Sequence, residues 1–173
     1  MILRSIFIML LIFSSISQAD TTTSTFTVSA TIENGCVFGD SMGNSVTDFG
    51  TIDFGTMSSI SDNVDVSSSM GSGSIVVTCT PGLAATIALD YGINGGSSVE
   101  RYLINSSGNT KLGYQLYQDA SHTTVWGTGS LAYNIPSFPG TTQTYTVYAR
   151  LFASSSMPVA GTYTDTVTVT LTY

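Results

Sequence analysis

The one histidine of the chain, His122, lies in Asp119-Ala120-Ser121-His122-Thr123-Thr124, where an imidazole could act as general base for a serine. That chemistry needs nucleophile, base and orienting acid together, and no Gly-x-Ser-x-Gly elbow occurs in the sequence. A surface-loop histidine is therefore expected. Asp48, Asp53, Asp90, Glu100 and Asp165 could supply the paired carboxylates of a glycosidase, but isolated acids among Gly, Asn and Ser read as turn-formers and solvated loop groups. Asp62-Asn63-Val64-Asp65 is rich in oxygens yet lacks the ligand spacing of an EF-hand loop. Trp126, before Gly127-Thr128-Gly129, could stack on a sugar; packing in a core or at a sheet edge is the plainer role. Asn105-Ser106-Ser107 is a glycosylation sequon, meaningful only in a source that glycosylates exported chains. The sequence thus predicts no catalytic residue, no metal site and no cofactor.

Cys36 and Cys79 remain, and their chemistry depends on compartment. Residues 1–19 place Arg4 ahead of the apolar run Ile6–Phe13 and end on Ser17-Gln18-Ala19, the layout of a secretory signal cleaved before Asp20. An apolar core of roughly 8 residues is far short of the ~20 needed to span a bilayer, and no second run approaches that length. An exported chain meets oxidising conditions, and an even pair has one intramolecular connectivity, so Cys36 and Cys79 are expected to form a disulfide. Neither has a neighbouring His or a Cys-x-x-Cys spacing that would point to metal or redox work.

The elements that must carry these residues are strands. Among 173 residues there are 26 Ser, 26 Thr and 17 Gly, with charged residues only 9% and a net charge of -7. That composition excludes a coiled coil, a helical bundle or a charged disordered tail, and an acidic chain with 4 Lys+Arg offers no basic surface for nucleic acid. Apolar residues recur with period two: Phe26, Val28, Ala30 and Ile32; Ile75, Val77 and Cys79; Ile87, Leu89 and Tyr91; Tyr114 and Leu116; Tyr145, Val147, Ala149 and Leu151. The final segment is clearest. Thr occupies every even position from 162 to 172, with Tyr163, Val167, Val169, Leu171 and Tyr173 on the other face, which predicts one strand of about ten residues. That strand runs to the last residue with nothing after it to cover its edge, and such an edge invites association. Gly, Ser, Asn and Pro clusters at short spacing join the strands, and no helix is expected beyond a minor share. One antiparallel β-sandwich is the economical fold.

Several blocks together resemble the spore coat protein U domain family, which includes subunits of archaic chaperone-usher pili of Gram-negative bacteria. They are Phe26-Thr-Val-Ser-Ala-Thr-Ile32 ahead of Cys36, Phe49-Gly50 with Asp53-Phe54-Gly55, and Gly73-Ser-Ile-Val-Val-Thr-Cys79-Thr-Pro-Gly82. Further on come Leu112-Gly-Tyr-Gln-Leu-Tyr-Gln-Asp119 with Trp126-Gly127, and Gly161 to Tyr173. The resemblance implies an all-β chain, an incomplete immunoglobulin-like β-sandwich lacking its last strand. Residues 1–19 would be the signal peptide, 20–33 an N-terminal donor-strand extension, and 34–173 the pilin domain. Phe26, Val28, Ala30 and Ile32 would be the donor side chains, and Tyr163, Val167, Val169, Leu171 and Tyr173 the strand bordering the acceptor groove, joined by β-strand addition. The implied partners are a periplasmic chaperone, an outer-membrane usher and neighbouring pilus subunits, and the implied location is the cell surface, in adhesion and biofilm formation. The segment Ala149 to Pro158, where the resemblance implies a strand leading into a proline-containing loop, matches the family loosely. Two rival functions remain: an adhesin or coat module using Trp126 and loop tyrosines, and a small secreted glycosidase.

Overall fold

A computed structural model describes residues 20–40, 45–108 and 110–173; the expected signal peptide, residues 1–19, lies outside the described residues. The chain divides into two compact units, residues 1–32 and 33–173. In the first unit, residues 20–32 form no strand or helix and are exposed throughout. The period-two pattern there predicts a half-buried strand, and the structure departs from that: Phe26, Val28 and Ile32 leave 87%, 82% and 91% of their surface to solvent. A strand alone has neither a hydrogen-bonding neighbour nor a core to cover.

The second unit is built from eleven short strands: β1 (Cys36–Phe38), β2 (Val64–Ser67), β3 (Ile75–Cys79), β4 (Ala85–Leu89), β5 (Arg101–Asn105), β6 (Lys111–Tyr117), β7 (Tyr133–Ile135), β8 (Gln143–Tyr145), β9 (Tyr148–Leu151), β10 (Tyr163–Thr164) and β11 (Val169–Thr172). The only helical element among the described residues is a 3-10 turn at Gly129–Leu131. The strands make three antiparallel sheets with the orders β1-β3-β8, β10-β5-β6-β9-β2 and β11-β4-β7. The all-β, sandwich-like fold expected from the sequence is therefore present.

Period two becomes burial directly in β3 and β4. Ile75, Val77 and Cys79, and Ala85, Ile87 and Leu89, are buried, while the residues between them are half-exposed. Pro81-Gly82 turns the chain between them, with Gly82 at φ 83°, a conformation that favours glycine. Trp126, Ile135, Phe138, Ala149 and Leu151 join these residues in one hydrophobic core, each large side chain contributing roughly 1.5–3 kcal/mol by its removal from water. Cys36 stands opposite Cys79 in the β1–β3 register, and the two are bonded, as expected.

Arg101 is fully buried. Its guanidinium donates to the carbonyls of Asp90 (2.7 Å from Nη2, 2.9 Å from Nε) and Trp126 (2.7 Å), and to the Gln115 side-chain oxygen. It also lies over the Tyr91 ring at 5.2 Å. One side chain thus satisfies buried carbonyls at the end of β4 and beside Trp126, groups that would be costly to leave unpaired.

Candidate functional site

The C-terminal segment keeps its alternation but is not one strand. Tyr163–Thr164 pairs with Asn105 and Ile104 of β5, whereas Val169–Thr172 pairs with Leu89 to Thr86 of β4. The single strand of about ten residues is thereby corrected: the chain crosses from one sheet to another through residues 165–168. Two carboxylates hold that crossover. Asp90 exchanges hydrogen bonds with Thr168, its N–H donating to the Thr168 carbonyl at 3.0 Å while its Oδ1 accepts from the Thr168 N–H at 2.9 Å. Asp165 Oδ1 accepts from the Ile93 and Thr166 N–H groups and from Asn94 Nδ2, and its Oδ2 accepts from the Tyr114 hydroxyl at 2.7 Å. Gly92 leaves room for this carboxylate; a Cβ there would stand 1.9 Å from Asp165 Oδ2. Burial first, then the bond to Asp165, raises the Tyr114 phenol far above its ordinary range.

Beside the crossover lies an open groove of about 870 Å³. Its floor consists of core side chains: Ile75, Leu89, Leu103, Tyr114, Leu116 and Val147. Asp165–Val169 form one wall, and Phe38 with residues 45–52 the other. That second wall is set by a repeated turn. In Asp48-Phe49-Gly50 and Asp53-Phe54-Gly55 the aspartate Oδ1 accepts from the glycine N–H at 2.8 Å, and both glycines have φ 85°, as expected of Asx-turns. The turns direct Phe49, Ile52 and Phe54 toward the core, with Phe49 edge-on to Phe38 at 5.2 Å. Gly50 also lets two backbones approach, since a Cβ there would meet the Gly71 carbonyl at 2.1 Å. β1, β10 and β11 are each outermost in their sheets. The groove is therefore a slot with an apolar floor opening onto the core, bordered by β1 and β11, each outermost in its sheet.

Of the five C-terminal residues predicted to border such a groove, Val167 and Val169 line it. Tyr163 and Leu171 are half-buried outside it, and Tyr173 is 60% exposed. Asp165 and Thr168, which the sequence analysis did not assign to the groove, line it as well. Asp165 shares the parity of Tyr163 and Val167, a signal that it faces inward. Phe26, Val28, Ala30 and Ile32 are exposed in their own unit.

The candidate catalytic groups have other work. His122 has φ 56°, and its ring is edge-on to Tyr117 at 5.1 Å. Its Nδ1 lies 3.2 Å from an Arg150 nitrogen, and Arg150 pairs with Asp65 at 2.6 and 2.7 Å. It is not the free surface-loop residue expected, since its side chain is only 7% exposed. The hydrogen bond from Arg150 holds the Asp65 carboxyl below the usual carboxylate range. Glu100 accepts from the Tyr102 hydroxyl. Asn63 Oδ1 accepts from the Ala153 N–H, and no group of three or more His, Cys, Asp or Glu among the described residues could hold a metal ion. Trp126 is 1% exposed and its indole N–H donates to the Ile87 carbonyl, so it is unavailable as the exposed anchor of an adhesin. The sequon residue Asn105 is buried and accepts from the Thr110 N–H, a poor acceptor for a glycan. No helix among the described residues is long and apolar enough to cross a membrane.

Comparison with known proteins follows the same outline. The family described as Spore Coat Protein U domain matches residues 22–170. Protein U of Myxococcus xanthus is 31% identical over 176 residues, covering 94% of this chain and 91% of that protein. Among solved structures, the CsuC-CsuE chaperone-tip adhesion subunit pre-assembly complex, from archaic chaperone-usher Csu pili of Acinetobacter baumannii, contains a similar fold. The TM-score is 0.50 at 21% identity over 83% of this chain, which spans 40% of the chain it matches. A chaperone-tip adhesin complex of CFA/I fimbriae gives 0.33 at 14% identity, over 80% of this chain and 42% of that one.

Proposed function

This chain belongs to the Spore Coat Protein U domain family, and from that premise we propose that it is a non-catalytic structural subunit of an archaic chaperone-usher pilus, polymerising by donor-strand complementation. The observation that carries the reading is the groove: core side chains form its floor, and β1 and β11, each outermost in its sheet, border it. An extended segment of alternating side chains is the ligand such a slot accepts, with backbone hydrogen bonds supplying affinity and pockets supplying register. Residues 26–32 offer that pattern. Donated from one subunit to the next, Phe26, Val28, Ala30 and Ile32 would bury roughly 5–10 kcal/mol of apolar transfer energy before ordering costs. Head-to-tail donation does not close on itself and grows an open fibre. Within this proposal a periplasmic chaperone holds the groove before assembly, an outer-membrane usher exports the fibre, and the surface fibre serves adhesion and biofilm formation.

A second reading, a component of a cell or spore coat, is supported by the likeness to Protein U along nearly the whole chain. It uses the same groove and differs in the polymer's destination.

The test is a pair of substitutions on opposite faces of the extension. Val28→Asp puts a charge into an apolar groove at a cost of several kcal/mol, whereas Thr27→Asp does not. Cells whose only copy carries Val28→Asp should show no fibres or coat polymer by electron microscopy, and Thr27→Asp cells should show them. Normal polymer with Val28→Asp, or equal failure of both, would reject donor-strand assembly. Immunogold labelling of wild-type cells separates projecting fibres from a continuous coat.

A further inference from the structure

Away from the groove, a second concavity of about 210 Å³ lies where one strand from each sheet converges. Tyr133 of β7, Tyr145 of β8 and Tyr148 of β9 line it, with Gln118, Thr146 and the largely buried Trp126. The aromatic rings pack in series: the buried Trp126 to Tyr133 at 5.5 Å and Tyr133 to Tyr145 at 5.1 Å. Among the described residues, the hydroxyls of Tyr133, Tyr145 and Tyr148 have no hydrogen-bond partner. Gln118 donates its amide to the Leu131 carbonyl, which leaves its side-chain oxygen as an acceptor.

We propose that this concavity is a carbohydrate subsite for one ring of a neutral sugar. Tyrosines give rigid, amphipathic contact area at little entropic cost. Their faces suit the C–H side of a pyranose while the phenols, Gln118 and Thr146 suit its hydroxyls. No charged side chain lines the site, so an acidic or basic ligand would go unmatched. The volume is below the roughly 300–1,000 Å³ of a drug-sized site, which suits a single ring and disfavours a polyproline helix, whose recognition needs an extended groove.

The site also stands away from assembly. β11 and β1 flank the groove and are outermost in their three-stranded sheets, while β7 and β8 are outermost at the opposite edges. Filling the groove leaves the tyrosines open. A polymer would therefore display one weak sugar site per subunit, and multivalency would convert weak binding into firm attachment. The inference stands whether or not the chain polymerises.

The chain has one tryptophan, and it lines the site, so a saturable change in its fluorescence on titration is a readout at the site. The purified protein is titrated with glucose, galactose, N-acetylglucosamine and a proline decapeptide. At least one sugar should give a saturable change with a dissociation constant on the order of millimolar, as expected for a ligand of this size at ordinary efficiency. The double variant Tyr145→Phe, Tyr148→Phe, which keeps both rings, should weaken it about tenfold, and Tyr173→Phe should leave it unchanged. Three outcomes overturn the proposal: no saturable change with any sugar well above the millimolar range, an equal response in the double variant, or a response to the decapeptide in place of the sugars.

Discussion

Tyr114 shows how one side chain can tie pH to the fold. Its phenol is buried and bonded to Asp165, and both conditions favour the protonated form. A folded-state pKa above the unfolded value of about 10 means that the folded chain keeps a proton the unfolded chain releases, so stability is full below pH 10 and falls as pH rises beyond it. Burial raises Tyr117 and Tyr145 in the same direction, and Tyr91, lowered chiefly by its bond with Thr128, opposes them. Urea midpoints measured across the alkaline range should drop steeply above pH 10 in the wild type. Tyr114→Phe should start lower, because Asp165 loses a donor, and decline less. Arg101 is the residue that sequence reasoning had no means of finding. It follows Val99-Glu100 and precedes Tyr102, as a solvated strand end would, and nothing local shows that its partners are carbonyls at positions 90 and 126 and the side chain of Gln115.

Among the elements, alternation made β3 and β4 legible because every second side chain had to reach one core. In the C-terminal segment the same alternation persists in burial, with Tyr163, Val167, Val169 and Leu171 half-buried and Tyr173 exposed. It could not show the crossover at 165–168, since parity is continuous through a change of sheet while the hydrogen-bonding partner is not. The partners there include the side chains of Asp90 and Asp165, which the sequence analysis assigned to loops. The groove was legible only as an edge without a neighbour; its second wall, in the weakly patterned region around Asp48 to Gly55, needed the paired turns to be seen in three dimensions. The crossover gives a prediction of its own. Val167 lines the groove, whereas Thr170 faces away and is exposed. If subunits join by the proposed donor-strand complementation, Val167→Asp should cost several kcal/mol of donor affinity, and Thr170→Asp little; sedimentation of purified subunits should show polymer for the second variant and none for the first.

For the whole molecule, the proposed donor and acceptor functions fall on separate stretches of chain and can be removed one at a time. A chain lacking residues 20–32 should accept a donor but never donate, and Val167→Asp should donate but never accept. Neither alone should polymerise. Mixed in equal amounts they should stop at heterodimers, seen as a single species by light scattering, because each pair exhausts its one competent end and one competent groove. Longer species in the mixture would mean that some other surface carries assembly.

The bond between Cys36 and Cys79 has a mechanical consequence. In a fibre assembled as proposed, tension arrives along the extension and meets the disulfide four positions after Ile32. Covalent bonds then carry it straight into β3, past the intervening 43-residue separation. Even a subunit pulled wholly open would hold that stretch slack, and at ~3.5 Å per residue it would yield about 150 Å less length than its reduced counterpart. The bond limits how far one overloaded subunit can lengthen, so it acts as a stop on the extensibility of the filament.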